Sequence, residues 1–303
     1  MPRPEPPVIL PQSESPVRVR DPDGGIRTPL VFASPHSGRG VPVGFLSLLR
    51  PPSASLRRAE DAFVDTLFAD APTLGAPLVA ARFARAFVDA NREPAEIDPA
   101  MLDEPAPSWA NINSPRVANG LGVAPRLTVD GETIHRRRLS LAEVVDRVDR
   151  FHAPYHRALA ARLEAARRRF GLAILVDCHS MPAADHRGAP DVVLGDRFGA
   201  SCHPAVSDAA ERAFAAQGLQ VQRNVPYAGG YTTAHYGRPR AGVHAIQVEL
   251  SRALYLDERA VQPLPRAFDA LAARLSVVME DLAAIDWAAL LHGRDGAQSL
   301  AAE

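Results

Sequence analysis

Two hydrophobic periods alternate along the chain. Short runs that are apolar at every position occur at Leu30-Val-Phe-Ala33, at Leu172-Ala-Ile-Leu-Val176, and inside Asp191-Val-Val-Leu-Gly-Asp196. Such runs read as strands buried on both faces, as in the middle of an α/β sheet. Val243-His-Ala-Ile-Gln-Val-Glu-Leu250 alternates strictly in its second half, with Gln247 and Glu249 on one face. Short strands are also predicted at Val17–Arg20, twice within 76–88, and from Val221. The strand spacing continues over Asp89, Asn91 and Arg92. Other stretches keep a period of 3.6. From a Ser140 cap, apolar residues at 141, 144, 145, 148, 151, 155 and 159 predict a helix reaching about Arg169, with a break at Pro154. Residues 201–217 and 258–285 fit helices. So does 60–70, where apolar 63, 64, 67 and 68 leave Asp61 and Asp65 on one face.

Strands and helices in alternation predict an α/β fold. One domain is expected over 29–290. It follows a loose arm over 1–28, rich in Pro and charge, and precedes a tail over 291–303. Residues 95–133 carry scattered Pro, Asn and Gly and no period. They read as a long surface excursion, and such loops are usually functional or disordered.

Composition narrows this further. The chain has 303 residues, 47% of them hydrophobic and 23% charged, which is an ordinary globular balance. The net charge of −1 gives no electrostatic pull toward nucleic acid or acidic membranes. All 34 basic residues are Arg, which reads as genome composition rather than chemistry. The two cysteines offer neither a disulfide framework nor a metal knuckle. No run approaches the ~18–20 apolar residues of a membrane span, and the first residues lack the apolar core of a signal peptide. A cytoplasmic monomer or homodimer with a small-molecule partner is expected.

Candidate chemistry lies where strands end. Open α/β sheets bind ligands beyond the carboxyl ends of their strands. Two strands deliver a His-Ser pair there, at His36 and His179. Asp177 lies two residues before His179 and shares its face. The competing reading is a strand-terminal Asp with a hydrogen-bonded core His. Two imidazoles and one carboxylate, from Asp61 or Asp65, form the ligand set of a catalytic zinc site. Glu249 could move the proton of a water, unless it merely pairs with Arg252. Asp177 could orient an imidazole from behind. Arg92, beside Asp89 and Asn91, suits capture of a substrate carboxylate, or a plain salt bridge to Asp89 or Glu93. One of Arg136–Arg138 could steer an anion inward, and Arg138 is counted with Glu249 as catalytic. These parts describe hydrolysis of an amide whose leaving group is an amino acid. Ser37 and Ser180 adjoin histidines, but neighbours on a strand point apart, which argues against a serine nucleophile.

Ser34-Pro-His-Ser-Gly38, Glu60-Asp-Ala-Phe-Val-Asp65, Val88-Asp-Ala-Asn-Arg-Glu-Pro94, Arg136–Leu139, Val176-Asp-Cys-His-Ser-Met-Pro182, Pro226-Tyr-Ala-Gly-Gly-Tyr231 and Gln247-Val-Glu-Leu250 together resemble the N-formylglutamate amidohydrolase family. The resemblance implies a three-layer α/β/α sandwich around a mixed, mostly parallel sheet, similar to zinc peptidases. It implies one Zn2+ held by His36, His179 and Asp61, with Asp65 in reserve for the carboxylate. Asp65, Asp89 and Asp177 would then stand behind the ligands. Asn91 and Arg92 would bind the substrate carboxylate, with Tyr227, Gly229 and Gly230 lining the same pocket, and Glu249 would be the base. The expected reaction is cleavage of an N-formyl or other N-acyl amino acid. A carboxypeptidase-like or cell-wall peptide amidase, or a non-catalytic anion or amino-acid binder, are the alternatives.

Overall fold

The computed structural model describes residues 8–50, 56–128, 130–184, 186 and 188–291. Seven strands form the main sheet: β1 (Val17–Arg20), β2 (Leu30–Ser34), β3 (Leu78–Ala81), β4 (Ala173–Met181), β5 (Val192–Gly195), β6 (Val221–Arg223) and β7 (Val243–Ser251). Their spatial order is β1-β3-β2-β4-β7-β5-β6. The central four run parallel, β1 is antiparallel on one edge, and β5 with β6 run against β7 on the other. The sheet is therefore mixed and mostly parallel, as expected. All nine residues of β4 are buried.

The pleat sorts each central strand into two cores. Leu30, Phe32, Ile174, Val176, Cys178, Ile246 and Val248 face the layer made by α3 (Pro204–Ala216) and α4 (Pro265–Ala283). Val31, Ala33, Ala173, Leu175 and Ala245 face Tyr155, Leu159 and Leu163 of α2 (Ala153–Phe170). The result is the three-layer sandwich. Asp177, His179, Gln247 and Glu249 continue the second set, because they keep its odd-numbered period. They form the polar end of an apolar column.

Helix α1 (Leu141–Arg147) starts where Ser140 predicts. Its hydroxyl accepts from Glu143 N–H, and the Glu143 carboxylate accepts from Ser140 N–H, a reciprocal capping box. Pro154 does not break the helix. A π-turn over Val148–His152 takes up the strain, and α2 runs on to Gly171, whose φ of 77° ends it. Pro lacks an N–H and crowds the preceding turn, which a wider turn relieves.

Three further expectations need correction. The expected arm is partly built into the fold: β1 is an edge strand of the main sheet, and Val8–Ile9 pairs with Gly40–Val41. The helix expected over 60–70 shrinks to Val64–Leu67, preceded by Phe63 at φ 65°. The strand expected over Asp89–Arg92 is a turn, in which the Asp89 carboxylate accepts from Asn91 N–H at 2.9 Å. That local bond replaces a sheet ladder. The expected tail lies outside the described residues except for Leu291, which is buried.

Candidate metal centre and substrate cleft

Strands β2 and β4 are neighbours in the sheet, so the loop after one and the end of the other meet. The structure brings His36 and His179 together, their ring centroids 4.9 Å apart. Asp61 comes between them. Its Oδ2 lies 3.2 Å from His36 Nδ1 and 2.9 Å from His179 Nδ1. All three side chains are buried, with their ligand atoms within 4.8 Å of one another.

The other nitrogen of each imidazole faces a second carboxylate. Asp89 Oδ1 is 2.6 Å from His36 Nε2, and Asp177 Oδ2 is 3.0 Å from His179 Nε2. The first contact is a well-aligned hydrogen bond. In the second, neither oxygen of the fully buried Asp177 is aligned with a donor, so the pair is held by charge and proximity.

This donor set fits a metal ion. Tetrahedral coordination with bonds of about 2.0–2.1 Å separates ligand atoms by roughly 3.3 Å, close to both Nδ1–Oδ2 distances. An imidazole whose Nε2 gives its proton to a carboxylate, as His36 does to Asp89, presents a lone pair at Nδ1, the arrangement by which metal-binding histidines are oriented. Burial opposes charge on His179, yet Asp177 and Asp61 outweigh it and hold the imidazole well above its ordinary range. Asp61 is likewise penalised by burial, but hydrogen bonds from His179 and His36 carry it well below the usual carboxylate range. Three anionic carboxylates gathered around two imidazoles make a place where a divalent cation is favourable.

The left-handed corner at Phe63 separates the two candidate carboxylates. Asp61 turns into the centre. Asp65 lies beyond the corner, its N–H donated to Ser37 Oγ and its carboxylate 3.6 Å from Arg18. It belongs neither to the centre nor to the cleft wall.

Glu249 stands beside His179 in the β4–β7 register. Burial pushes its carboxyl up to about 7. Gln247 donates Nε2–H to Glu249 Oε1 at 2.8 Å and accepts Gly230 N–H at 2.8 Å. The Gly229-Gly230 turn is thus tied to the glutamate through one amide. Arg252 does not pair with Glu249. It donates to Asp61 Oδ1 at 3.1 Å and to the Glu60 carbonyl at 2.8 Å.

These groups open on a cleft of about 500 Å³ that His36, Asp61, Asn91, Arg92, His179, Tyr227, Gly229, Gly230 and Glu249 all line. Arg92 is buried and donates to the carbonyls of Leu121 and Asn91. Asn91 is committed within the protein: its Oδ1 accepts Thr232 N–H at 2.8 Å, and its Nδ2 is 3.2 Å from His179 Nε2. These contacts fix the orientation of its side chain in the cleft wall. His156 and His152 on the far side bind the carbonyls of Ala90 and Arg92 at 2.8 and 2.9 Å, which fixes the segment from behind. The π-turn supplies His152 for this purpose.

Arg138 is exposed and absent from the cleft wall. The arginine run serves α1 and its surroundings: Arg137 pairs with Glu143, and Arg136 donates to the Leu49 carbonyl. The arginines that do line the cleft include Arg57, Arg85, Arg116 and Arg252, which sequence reasoning did not single out as site residues. Arg252 enters the sequence reading only as a possible partner of Glu249, and Arg85 stands four residues before Asp89, to which it donates at 3.0 Å.

Gly230 is fixed by close approach. A Cβ there would come within 2.4 Å of Asn91 Nδ2. Gly230→Ala is expected to cost about 1–3 kcal/mol by overpacking and to slow turnover by displacing Asn91 and Gln247. Thermal unfolding and steady-state kinetics check this; an unchanged melting temperature and rate would refute it.

The sequence profile of the family described as N-formylglutamate amidohydrolase matches residues 28–256. The chain belongs to the N-formylglutamate amidohydrolase family. A relative named N-formylglutamate deformylase from Pseudomonas aeruginosa is 33% identical, over 84% of this chain and 91% of its own length. Another of that name, from Pseudomonas putida, is 30% identical over 88% of this chain and 96% of its own. Among solved structures, an N-formylglutamate amidohydrolase from Ralstonia eutropha superposes with a TM-score of 0.84 at 34% identity, covering 89% of this chain and 98% of the other. Within the described residues, the family match contains the His36–Asp61–His179 group and Glu249. No helix among the described residues is long and apolar enough to cross a membrane.

Proposed function

We propose that the protein hydrolyses the amide bond of N-formyl-L-glutamate, or of a close N-acyl relative, releasing formate and the free amino acid. It does so with one zinc ion held by His36, Asp61 and His179. The observation that carries this reading is the convergence of two carboxylate-backed Nδ1 atoms on Asp61, beside a buried glutamate raised to about 7. Bound there, the ion supplies Lewis-acid polarisation of the formyl oxygen and lowers the pKa of a water to about 7.

The protein's own groups do the rest. Glu249 accepts the proton of the attacking water at a carboxylate oxygen and hands it to the departing nitrogen. Gln247 fixes the orientation of that carboxylate. Arg92 holds a carboxylate of the substrate, as a planar fork suited to that shape. The names of the Pseudomonas and Ralstonia relatives support N-formyl-L-glutamate as the first substrate to try.

Formate release from N-formyl-L-glutamate tests the reading. The holoprotein is expected to turn over, to stop after chelation, and to recover on adding zinc. Turnover indifferent to chelation would overturn the metal assignment. A zinc-loaded protein that releases no formate would overturn the substrate.

A further inference from the structure

A groove of about 730 Å³, separate from the cleft, runs between residues 9–12, the short helix Val43–Leu48 and α1. The buried side chains of Leu10, Phe45, Phe87 and Phe151 line it. A concave space of that size with an apolar lining suits a small molecule.

Arg147 is set into the same lining and is only 4% exposed. Its guanidinium carbon lies 5.2 Å from the ring centre of Phe45 and 4.6 Å from that of Phe87. Nη1 donates to Phe87 O at 3.0 Å and to His135 Nε2 at 3.2 Å. Burial, reinforced by this guanidinium, lowers His135 to about 3, so the imidazole is neutral and brings no second charge. Nε and Nη2 of Arg147 have no hydrogen-bond partner among the described residues, and neither is sealed from solvent.

The other charges of the groove are already matched. Both carboxylate oxygens of Glu143 accept from Arg137, and Asp146 accepts from Arg150 at 3.2 Å. Among the described residues no carboxylate lies within ion-pair distance of Arg147. The groove thus holds one buried cation in excess. A buried charge is costly unless it is paired. A ring face returns about 0.5–2 kcal/mol, and a carbonyl carries no net charge to cancel it. Burial accordingly lowers Arg147 to about 10.

We propose that this groove is a binding site for a monocarboxylate with an apolar body. The free edge of the Arg147 guanidinium takes the carboxylate, a planar fork meeting a planar acceptor. The aromatic lining takes the body. A single unmatched cation calls for a single negative charge. The site stands whatever the cleft hydrolyses. It lies behind the segment that backs the metal centre, since Phe87 precedes Asp89 by two residues.

Phenylacetate is the probe, with phenylacetamide as its neutral counterpart, each titrated calorimetrically into the purified protein. The acid is expected to bind at least about 10-fold more tightly than the amide, the range for a hydrogen bond to a charged group. Arg147→Met, which leaves an apolar filler between the rings, should erase that preference. Val43 is 71% exposed on the groove wall, so changes there leave the core alone and decide the matter if Arg147→Met does not fold. Val43→Lys should tighten binding of the acid and Val43→Glu weaken it, about 2- to 5-fold in each direction, with the amide unmoved. No binding of the acid to the unaltered protein at about 10 mM would overturn the proposal. So would equal affinity for acid and amide, a preference that survives Arg147→Met, or an affinity for the acid indifferent to the sign of the charge at Val43.

Discussion

His179→Ala is expected to strip the protein of its metal and to lower turnover about 10³-fold or more, because Lewis-acid stabilisation is worth several kcal/mol and each 1.36 kcal/mol is tenfold. The loss should be double. Removing this imidazole deletes one donor, and it also leaves Asp177 fully buried with nothing to balance its charge. Metal content after dialysis, read by elemental analysis, should fall well below one equivalent, alongside the loss of formate release. Asp177→Asn and Asp89→Asn make the graded comparison. They keep all three donors and disturb only the groups behind them, so metal affinity should fall about 10- to 100-fold. A His179→Ala protein that keeps both metal and rate would remove the centre from the mechanism.

Glu249→Gln is expected to lower kcat about 10²- to 10⁴-fold while leaving metal content unchanged. The amide keeps the shape and can still meet Gln247, but it cannot take a proton. The pH profile adds a sign. The carboxylate is the working form, so activity should fall as pH drops through the pKa of Glu249. Burial places that at about 7, and a neighbouring cation moves it lower. The acid limb should flatten in the variant.

Stability of the metal-free protein should move the other way. In the unfolded chain this carboxyl titrates near 4.5, against about 7 in the fold. Between these values the folded state binds the proton more tightly, so wild-type stability falls as pH rises. The fall is on the order of 3 kcal/mol once both states are ionised. Glu249→Gln removes that term and should melt higher than wild type at pH 8. A near-normal rate would end the assignment of Glu249 as the base.

The strands and the long helix were readable because each rests on a local rule. The apolar runs of β2 and β4, the alternation in β7 and the Ser140–Glu143 box all point one way within a few residues. His36, His179 and Glu249 could be read from the same rule, since each stands at or just past the end of such a strand. The rest depends on contacts distant in sequence. Asp61 and Asp65 are equivalent on a helix, and only the left-handed Phe63 sends one inward. Asp89, Asn91 and Arg92 show strand spacing, yet the Asp89 side chain and two helix-borne imidazoles hold a turn there. Arg138 was one of three adjacent arginines, and nothing in that run distinguishes a solvated side chain from an inward one. The arginines of the cleft come from five separate stretches, which no spacing rule connects.

The pleat of β4 and β7 has an evolutionary corollary. Because the reactive side chains extend the same column as Ala173, Leu175 and Ala245, the sheet acts as a ruler whose graduations are single residues. Deleting one residue between Leu172 and Asp177 would turn His179 toward the α3–α4 layer and bring Cys178's side of the strand to the cleft. Length changes should therefore be tolerated in the connecting segments and excluded from these two strands, a pattern that a library of single-residue deletions screened for folding and formate release would display.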